Sequence, residues 1–190
     1  KMKLYRCKYC KARKPIEQMQ ILMPQVCKEC IGVHFEQNKA KIMSKARNNT
    51  KRKEKERTAK KKEALMTLSD WHKRAQKYFN RYIRERDIKY HGGVCIACGE
   101  IRKHNDAGHF YSVGSHPELR YNELNCHLEC VACNQHKGGN LLLYAENLPK
   151  RIGQDKFEEL QSLRNKPKQY TIPEIKELIE IYKQKIKELK

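Results

Sequence analysis

The sequence predicts an α+β fold: a mostly helical chain carrying two small modules that are closed by cysteines. Three observations predict it. Eight of the nine cysteines form four Cys-x2-Cys pairs, and two segments repeat large apolar residues at three- and four-residue spacing. Only 38% of the 190 residues are hydrophobic and 8% aromatic, too few for one large core. No run of about 18 apolar residues occurs, so no membrane-spanning helix is expected. The opening stretch KMKLYRCKYC has no apolar signal region, which argues against secretion and hence against disulfides.

Residues 1–35 are expected to form the first module. The pairs CKYC (Cys7, Cys10) and CKEC (Cys27, Cys30) lie sixteen residues apart. Two thiolates on one tight turn suit a tetrahedral zinc ion, and two such pairs complete a ribbon or finger.

Residues 36–68 read as a basic helical linker or arm. From Glu36 to Lys62 large apolar residues are nearly absent, and Ile42, Met43 and Ala46 are too few for a coiled coil. An isolated polar helix, a disordered linker and an arm that orders on DNA all fit this composition. The chain carries 42 Lys and Arg against 22 Asp and Glu, a net charge of +20. Residues 36–90 hold 19 basic and 7 acidic side chains, whereas residues 91–190 hold 15 and 13. Such clustering points to a polyanion, bound with release of condensed counterions. It does not point to a membrane surface, because no bulky apolar face opposes the charges.

Residues 69–150 are expected to hold a helix and a second cysteine-closed finger. Ser69 or Asp70 suits an N-cap. Trp71, Ala75, Tyr78, Phe79, Tyr82 and Ile83 then recur along one face, the pattern of a buried helix stripe rather than of base-stacking aromatics. Arg74, Arg81 and Arg84 lie off the stripe and are candidates for DNA phosphate contacts. His91-Gly92-Gly93 should end the helix. The pairs CIAC (Cys95, Cys98) and CVAC (Cys130, Cys133) predict a second structural zinc ion, two per chain in all. Cys126, outside any pair, reads as a small packing residue. His91, His104 and His116 read as surface or turn residues, and Arg120 and Lys137 as further candidates for phosphate contact.

Three polar residues stand out by spacing within this region: His109, Asn125 sixteen residues later, and Asn134 nine after that, directly following Cys133. With the four cysteines around them they resemble the HNH, or ββα-metal, nuclease finger. That resemblance implies a zinc-stabilised ββα-metal core and hydrolysis of a phosphodiester to a 5′-phosphate and a 3′-hydroxyl. A neutral imidazole accepts a proton from water near pH 7, so His109 is the expected general base. Asn134 offers a hard oxygen to one divalent cation, magnesium or manganese. Asn125 is expected to tie down the loop and orient His109. One departure from the family pattern concerns residue 108. Many HNH enzymes place a metal ligand directly before the base, and here that residue is Gly108. Strand alternation puts Asp106 on the face of Gly108, so Asp106 is the expected second ligand, with His127, Glu129 and His136 as rivals.

The segments WHKRAQKYFNRYIRERD, CIACG, DAGHF, LRYNELN, CVACNQHKGGN and RIGQ extend the resemblance to the NinG/Rap recombination proteins of lambdoid phages over roughly residues 69–190. The resemblance implies a structure-selective endonuclease for branched recombination intermediates, Holliday junctions and D-loops, working in the cytoplasm of a bacterial host. A non-catalytic zinc-dependent DNA-binding accessory protein and a sequence-specific HNH endonuclease are the alternatives.

Residues 151–190 complete the chain as C-terminal helices. Thr171 with Glu174 predicts a capping box, and Pro173 falls in the first turn, where its missing N–H costs little. Ile175, Ile179, Tyr182, Ile186 and Leu189 alternate four and three apart. This stripe is expected to serve a homodimer, as two symmetric nicks require two sites, with packing on its own chain as the rival.

Overall fold

The computed structural model describes residues 3–166 and 168–190, apart from the side chain of Pro24. The chain divides into two compact units, Lys1–Leu65 and Met66–Lys190.

In the first unit, β1 (Leu4–Arg6) pairs antiparallel with β2 (Arg13–Pro15), and β3 (Met19–Gln20) with β4 (Met23–Cys27). The buried cluster between them is small: Cys7, Met19 and Cys27. Helix α1 (Ile31–Ala64) follows, 34 residues with no buried side chain, about 50 Å long at 1.5 Å per residue. It runs without a break through residues 36–62 as a polar helix. Salt bridges one turn apart, such as Arg52–Glu56 at 3.8 Å, add only about 0.3–0.5 kcal/mol each on such a solvated face.

In the second unit, α2 (Leu68–His91) starts earlier than the sequence suggests. Its N-cap is Thr67, not Ser69 or Asp70: Thr67 Oγ1 accepts from the Asp70 N–H at 3.2 Å, and Asp70 Oδ2 accepts from the Thr67 N–H at 3.0 Å. The reciprocal pair is a capping box, with aspartate standing where glutamate is usual. Helix α2 stops at Gly92, whose φ of +64° closes the end left-handed. Trp71, Ala75, Phe79 and Ile83 are buried, with Tyr78 and Tyr82 packed beside them, so the aromatic stripe is core.

Its partner is α5 (Ile172–Glu188). Ile175, Ile179, Tyr182 and Ile186 are buried, and the Phe79 and Tyr182 rings meet edge-on at 5.1 Å. The buried residues of the C-terminal stripe thus pack on α2 of their own chain, the rival to their expected use in a homodimer. Thr171 and Glu174 form the capping box that their spacing predicts.

A two-stranded hairpin lies against this helix pair. Strands β5 (Asn105–His109) and β6 (Cys126–Cys130) are antiparallel, with Asp106 opposite Glu129, Gly108 opposite His127 and His109 opposite Cys126. Alternation puts Ala107, His109, Cys126 and Leu128 on one face and Asp106, Gly108, His127 and Glu129 on the other. All five residues of β6 are buried. The chain leaves β6 through a single π-helical turn, Ala132–His136, and then α3 (Leu141–Ile152) and α4 (Gln154–Ser162). Tyr144, Leu148 and Leu160 from these helices bury a second cluster with Cys95, Ile96 and Leu119. The chain is therefore mostly helical, with small antiparallel sheets and two four-cysteine clusters. No helix among the described residues is long and apolar enough to cross a membrane.

Candidate active site

The four thiols of each module converge: Cys7, Cys10, Cys27 and Cys30 in one, and Cys95, Cys98, Cys130 and Cys133 in the other, with every sulfur within 4.8 Å of the rest. Cys10 and Cys27 Sγ are 3.8 Å apart, as are Cys98 and Cys130 Sγ. A tetrahedron with Zn–S bonds of about 2.3 Å has edges of about 3.8 Å, so both clusters fit zinc. Backbone amides support the thiolates: Cys27 N–H donates to Cys7 Sγ at 3.4 Å and Cys130 N–H to Cys95 Sγ at 3.3 Å. The Cys27 amide holds the Cys7 thiol down to about 6. In the same cluster, hydrogen bonding to Cys27 and burial push Cys30 up to about 12. Burial, with the neighbouring Cys95, pushes Cys98 up to about 12. Four crowded sulfurs cannot all ionise without a cation among them, and a bound zinc ion would supply that charge.

The second cluster fixes the hairpin at the end of which His109 sits. The His109 ring lies 5.8 Å from the Phe79 ring, its Nε2 is 3.0 Å from the Arg120 carbonyl, and its Nδ1 faces Cys126 Sγ at 3.7 Å. A carbonyl accepts only, so Nε2 carries the proton and Nδ1 is left as the basic nitrogen. Burial lowers the pKa of this imidazole from its ordinary 6.5, which keeps it neutral at pH 7.

Asn125 is wholly buried and makes four hydrogen bonds to the loop after β5. Its Oδ1 accepts from Tyr111 N–H at 2.8 Å, and its Nδ2 donates to the carbonyls of Tyr111 at 2.9 Å and Leu119 at 3.3 Å. Its own carbonyl accepts from Phe110 N–H at 2.8 Å. The loop so clamped runs from His109 towards Arg120, whose carbonyl meets the imidazole.

Asn134, in the π-helical turn, donates from Nδ2 to Asp106 Oδ2 at 2.9 Å, and Gln135 Nε2 donates to the same oxygen at 2.8 Å. With its amide nitrogen turned to Asp106, Asn134 keeps Oδ1 free of that bond, the atom it could offer a cation. His109 and Asn134 line one open cavity of about 350 Å³ together with Phe110, Ser112, Ser115 and His116. Asp106 and His109 stand on opposite faces of the hairpin, and Asn134 is the residue common to both sides.

The rivals for the second ligand separate clearly. His127 is buried beside Asp87, its Nδ1 3.5 Å from Asp87 Oδ2 and its Nε2 3.2 Å from the Leu124 carbonyl. It is therefore committed to holding β6 on α2. His136 is exposed. Glu129 is fully buried, and neither of its carboxylate oxygens has a hydrogen-bond partner among the described residues. Burial, and then the charge of Asp106, raise its pKa to about 7.

Asp87 is a residue that the motif reading passed over. It is wholly buried, accepts the Leu128 N–H at 2.7 Å and the Arg86 guanidinium at 2.7 Å, and lies 3.9 Å from Arg151. Arg86 also donates to the carbonyls of Glu123 at 3.0 Å and Cys126 at 2.9 Å. The signal was present in the sequence: the series 71, 75, 79, 83 continues to 87, and a carboxylate on a buried stripe demands partners. Tyr144 was passed over too; its hydroxyl donates to the Gly108 carbonyl at 3.1 Å.

The candidate phosphate contacts are scattered. Arg74 stacks on Trp71 at 5.2 Å, Arg81 pairs with Glu85 at 2.6 Å, Arg84 is half-buried, and Lys137 is exposed after the π-helical turn. Arg120 lines a wider groove of about 650 Å³ along α2 with His72, Lys73, Gln76, Lys77 and Asn80. Of the three histidines read as surface or turn residues, His104 is exposed, His91 half-buried, and His116 Nδ1 is 3.2 Å from Glu118 Oε1.

Sequence comparison gives these features a family. The chain is 44% identical over 128 residues to protein ninG of Escherichia phage lambda, which covers 67% of this chain and 61% of that protein. It is 41% identical over 128 residues to protein ninG of Escherichia phage 933W and to that of Salmonella phage P22, covering 62% and 61% of those proteins. The chain thus spans about three fifths of the length of these relatives. No solved structure matches it. A family model described as the Bacteriophage Lambda NinG protein matches residues 1–190, the whole chain, which therefore belongs to the NinG family.

Proposed function

We propose that the protein is a structure-selective DNA endonuclease that nicks branched recombination intermediates, Holliday junctions and D-loops, by divalent-metal-dependent hydrolysis. The observation that carries this reading is the setting of His109: a half-buried imidazole, held by the Arg120 carbonyl through Nε2, beside a cavity that Asn134 also lines, with burial favouring its neutral form. Membership of the NinG family and the resemblance to HNH fingers support the choice of substrate.

In this mechanism His109 Nδ1 takes the proton from the attacking water, while the Nε2–H bond to Arg120 fixes the tautomer. Asn125 holds the loop that carries Arg120, and so acts on His109 by positioning it. Asn134 and Asp106 supply oxygen ligands suited to magnesium or manganese, and the ion, when bound, neutralises charge on the phosphate and the leaving 3′-oxygen. The zinc-fixed hairpin keeps these groups in register. Helix α1, with twelve Lys and Arg against four Glu, supports contact with DNA phosphates. Two symmetric nicks call for two copies of the chain on one junction. The cytoplasm of a bacterial host is where such intermediates arise.

The test is nicking of a synthetic four-way junction and of linear duplexes with the same arm sequences, in Mg²⁺ and in Mn²⁺. The expected result is metal-dependent nicks at the branch point, with the duplexes left intact. Binding of the junction without cutting in either metal would instead make the protein an accessory factor, and equal cutting of the duplexes a sequence-directed enzyme.

A further inference from the structure

Glu129 is a buried acid of the second unit whose place is unexplained. Its side chain is fully buried, and both carboxylate oxygens are without a hydrogen-bond partner among the described residues. An ionised carboxylate left in that condition is among the most costly arrangements a protein interior can hold. The nearby arginines do not relieve it. Arg86 is spent on Asp87 and on two backbone carbonyls, and Arg151 reaches Asp87 and the Val94 carbonyl. Opposite Glu129 in the strand register stands another acid, Asp106, whose Oδ2 is held by the amides of Asn134 and Gln135.

Gly108 explains how Glu129 fits. A Cβ built on Gly108 would lie 2.1 Å from Glu129 Oε2 and 3.1 Å from its Cδ. The carboxylate therefore occupies the space in which any other residue at 108 would put its side chain. Gly108 lies within a regular strand and is not among the residues of positive φ. Room for the carboxylate, rather than backbone freedom, is what the glycine provides.

We propose that Glu129 is a ligand of the divalent cation, forming the floor of a site whose rim is Asp106 and Asn134, and that Gly108 is the vacancy that admits it. This rests on the metal-dependent reading given above and moves the main anchor of the cation from Asp106 to Glu129. Two carboxylates and one amide oxygen are a hard, all-oxygen donor set, which selects magnesium or manganese over the zinc bound by the cysteines. A cation there satisfies the orphaned oxygens of Glu129 and the repulsion between the two acids at once.

The test uses the zinc-loaded full chain without DNA and follows Mn²⁺ binding by electron paramagnetic resonance, with zinc content measured in parallel. The wild type should bind one Mn²⁺ beyond its zinc. Glu129→Gln should weaken that binding by on the order of 100-fold, since it removes a direct ligand where even second-shell changes cost 10–100-fold. Gly108→Ala is the second variant: it leaves Glu129 chemically intact but displaces its carboxylate, and should weaken Mn²⁺ binding while zinc content stays unchanged. If Glu129→Gln does not fold, Gly108→Ala decides alone. Mn²⁺ bound by both variants as tightly as by the wild type overturns the proposal. Junction cutting by Glu129→Gln at the wild-type rate would also overturn it while leaving the nuclease reading intact. Mn²⁺ bound through Glu129 in a protein that cuts no junction would do the reverse.

Discussion

At the scale of single residues, the site is a set of buried polar groups whose partners decide their roles. Asp87 and Glu129 are both wholly buried acids, yet Asp87 is ringed by Arg86, His127, Arg151 and the Leu128 N–H, while Glu129 has none of these. The ring of donors offsets the burial of Asp87 and holds its pKa well below the ordinary carboxylate value of 3.8. A depressed folded-state pKa means that the stability it contributes is fully present above the unfolded value and is lost as pH falls below it. Asp87→Ala should therefore cost about 3–5 kcal/mol at pH 7, because it leaves the largely covered Arg86 without its counter-charge. Urea denaturation should show this deficit shrinking as pH drops below about 4. A deficit that stayed constant from pH 7 to pH 3 would mean that the loss is one of packing rather than charge. The spacing of His109, Asn125 and Asn134 marks them as candidates in the sequence. The bond from His109 to Arg120 was not legible there, because backbone carbonyls leave no trace in a sequence.

At the scale of elements, apolar periodicity reported which faces are buried but not what covers them. The stripe Ile175, Ile179, Tyr182, Ile186 reads equally well as a seam between two chains and as a helix lying on its own core. The deciding fact is the complementary stripe on α2, whose Phe79 ring meets Tyr182. Ile179→Ala should accordingly destabilise the fold by about 2–5 kcal/mol, the usual cost of truncating a buried isoleucine. Its oligomeric state, followed by sedimentation at fixed concentration, should not change. A variant of undiminished stability that lost self-association would return this stripe to an intermolecular role. The start of α2 was misplaced for a related reason. Thr67, Ser69 and Asp70 are all capable N-caps, and only the reciprocal pair between Thr67 and Asp70 identifies the one used. The cysteine pairs predict only a closed module, and the hairpin inside it is implied by the resemblance to the finger rather than by cysteine spacing.

At the scale of the whole molecule, the two units divide the work by composition. The first unit ends in a helix that has no buried side chain and carries twelve basic side chains, in keeping with the proposed contact with DNA phosphates. The second holds both larger cores and the polar residues that carry the proposed chemistry. This division was visible in the charge distribution, as electrostatic footprints depend on net charge rather than on detailed packing. The relation of Glu129 to Gly108 was not visible. They lie twenty-one positions apart, and only strand register brings the carboxylate over the glycine. The central claim is that His109 acts chemically in cutting branched DNA, and His109→Ala tests it most directly, by single-turnover cleavage of a four-way junction beside its binding affinity. Loss of a general base should slow cleavage by roughly 10²–10⁴-fold while junction affinity stays within about twofold. Cleavage at the wild-type rate, or loss of binding together with cleavage, would contradict it.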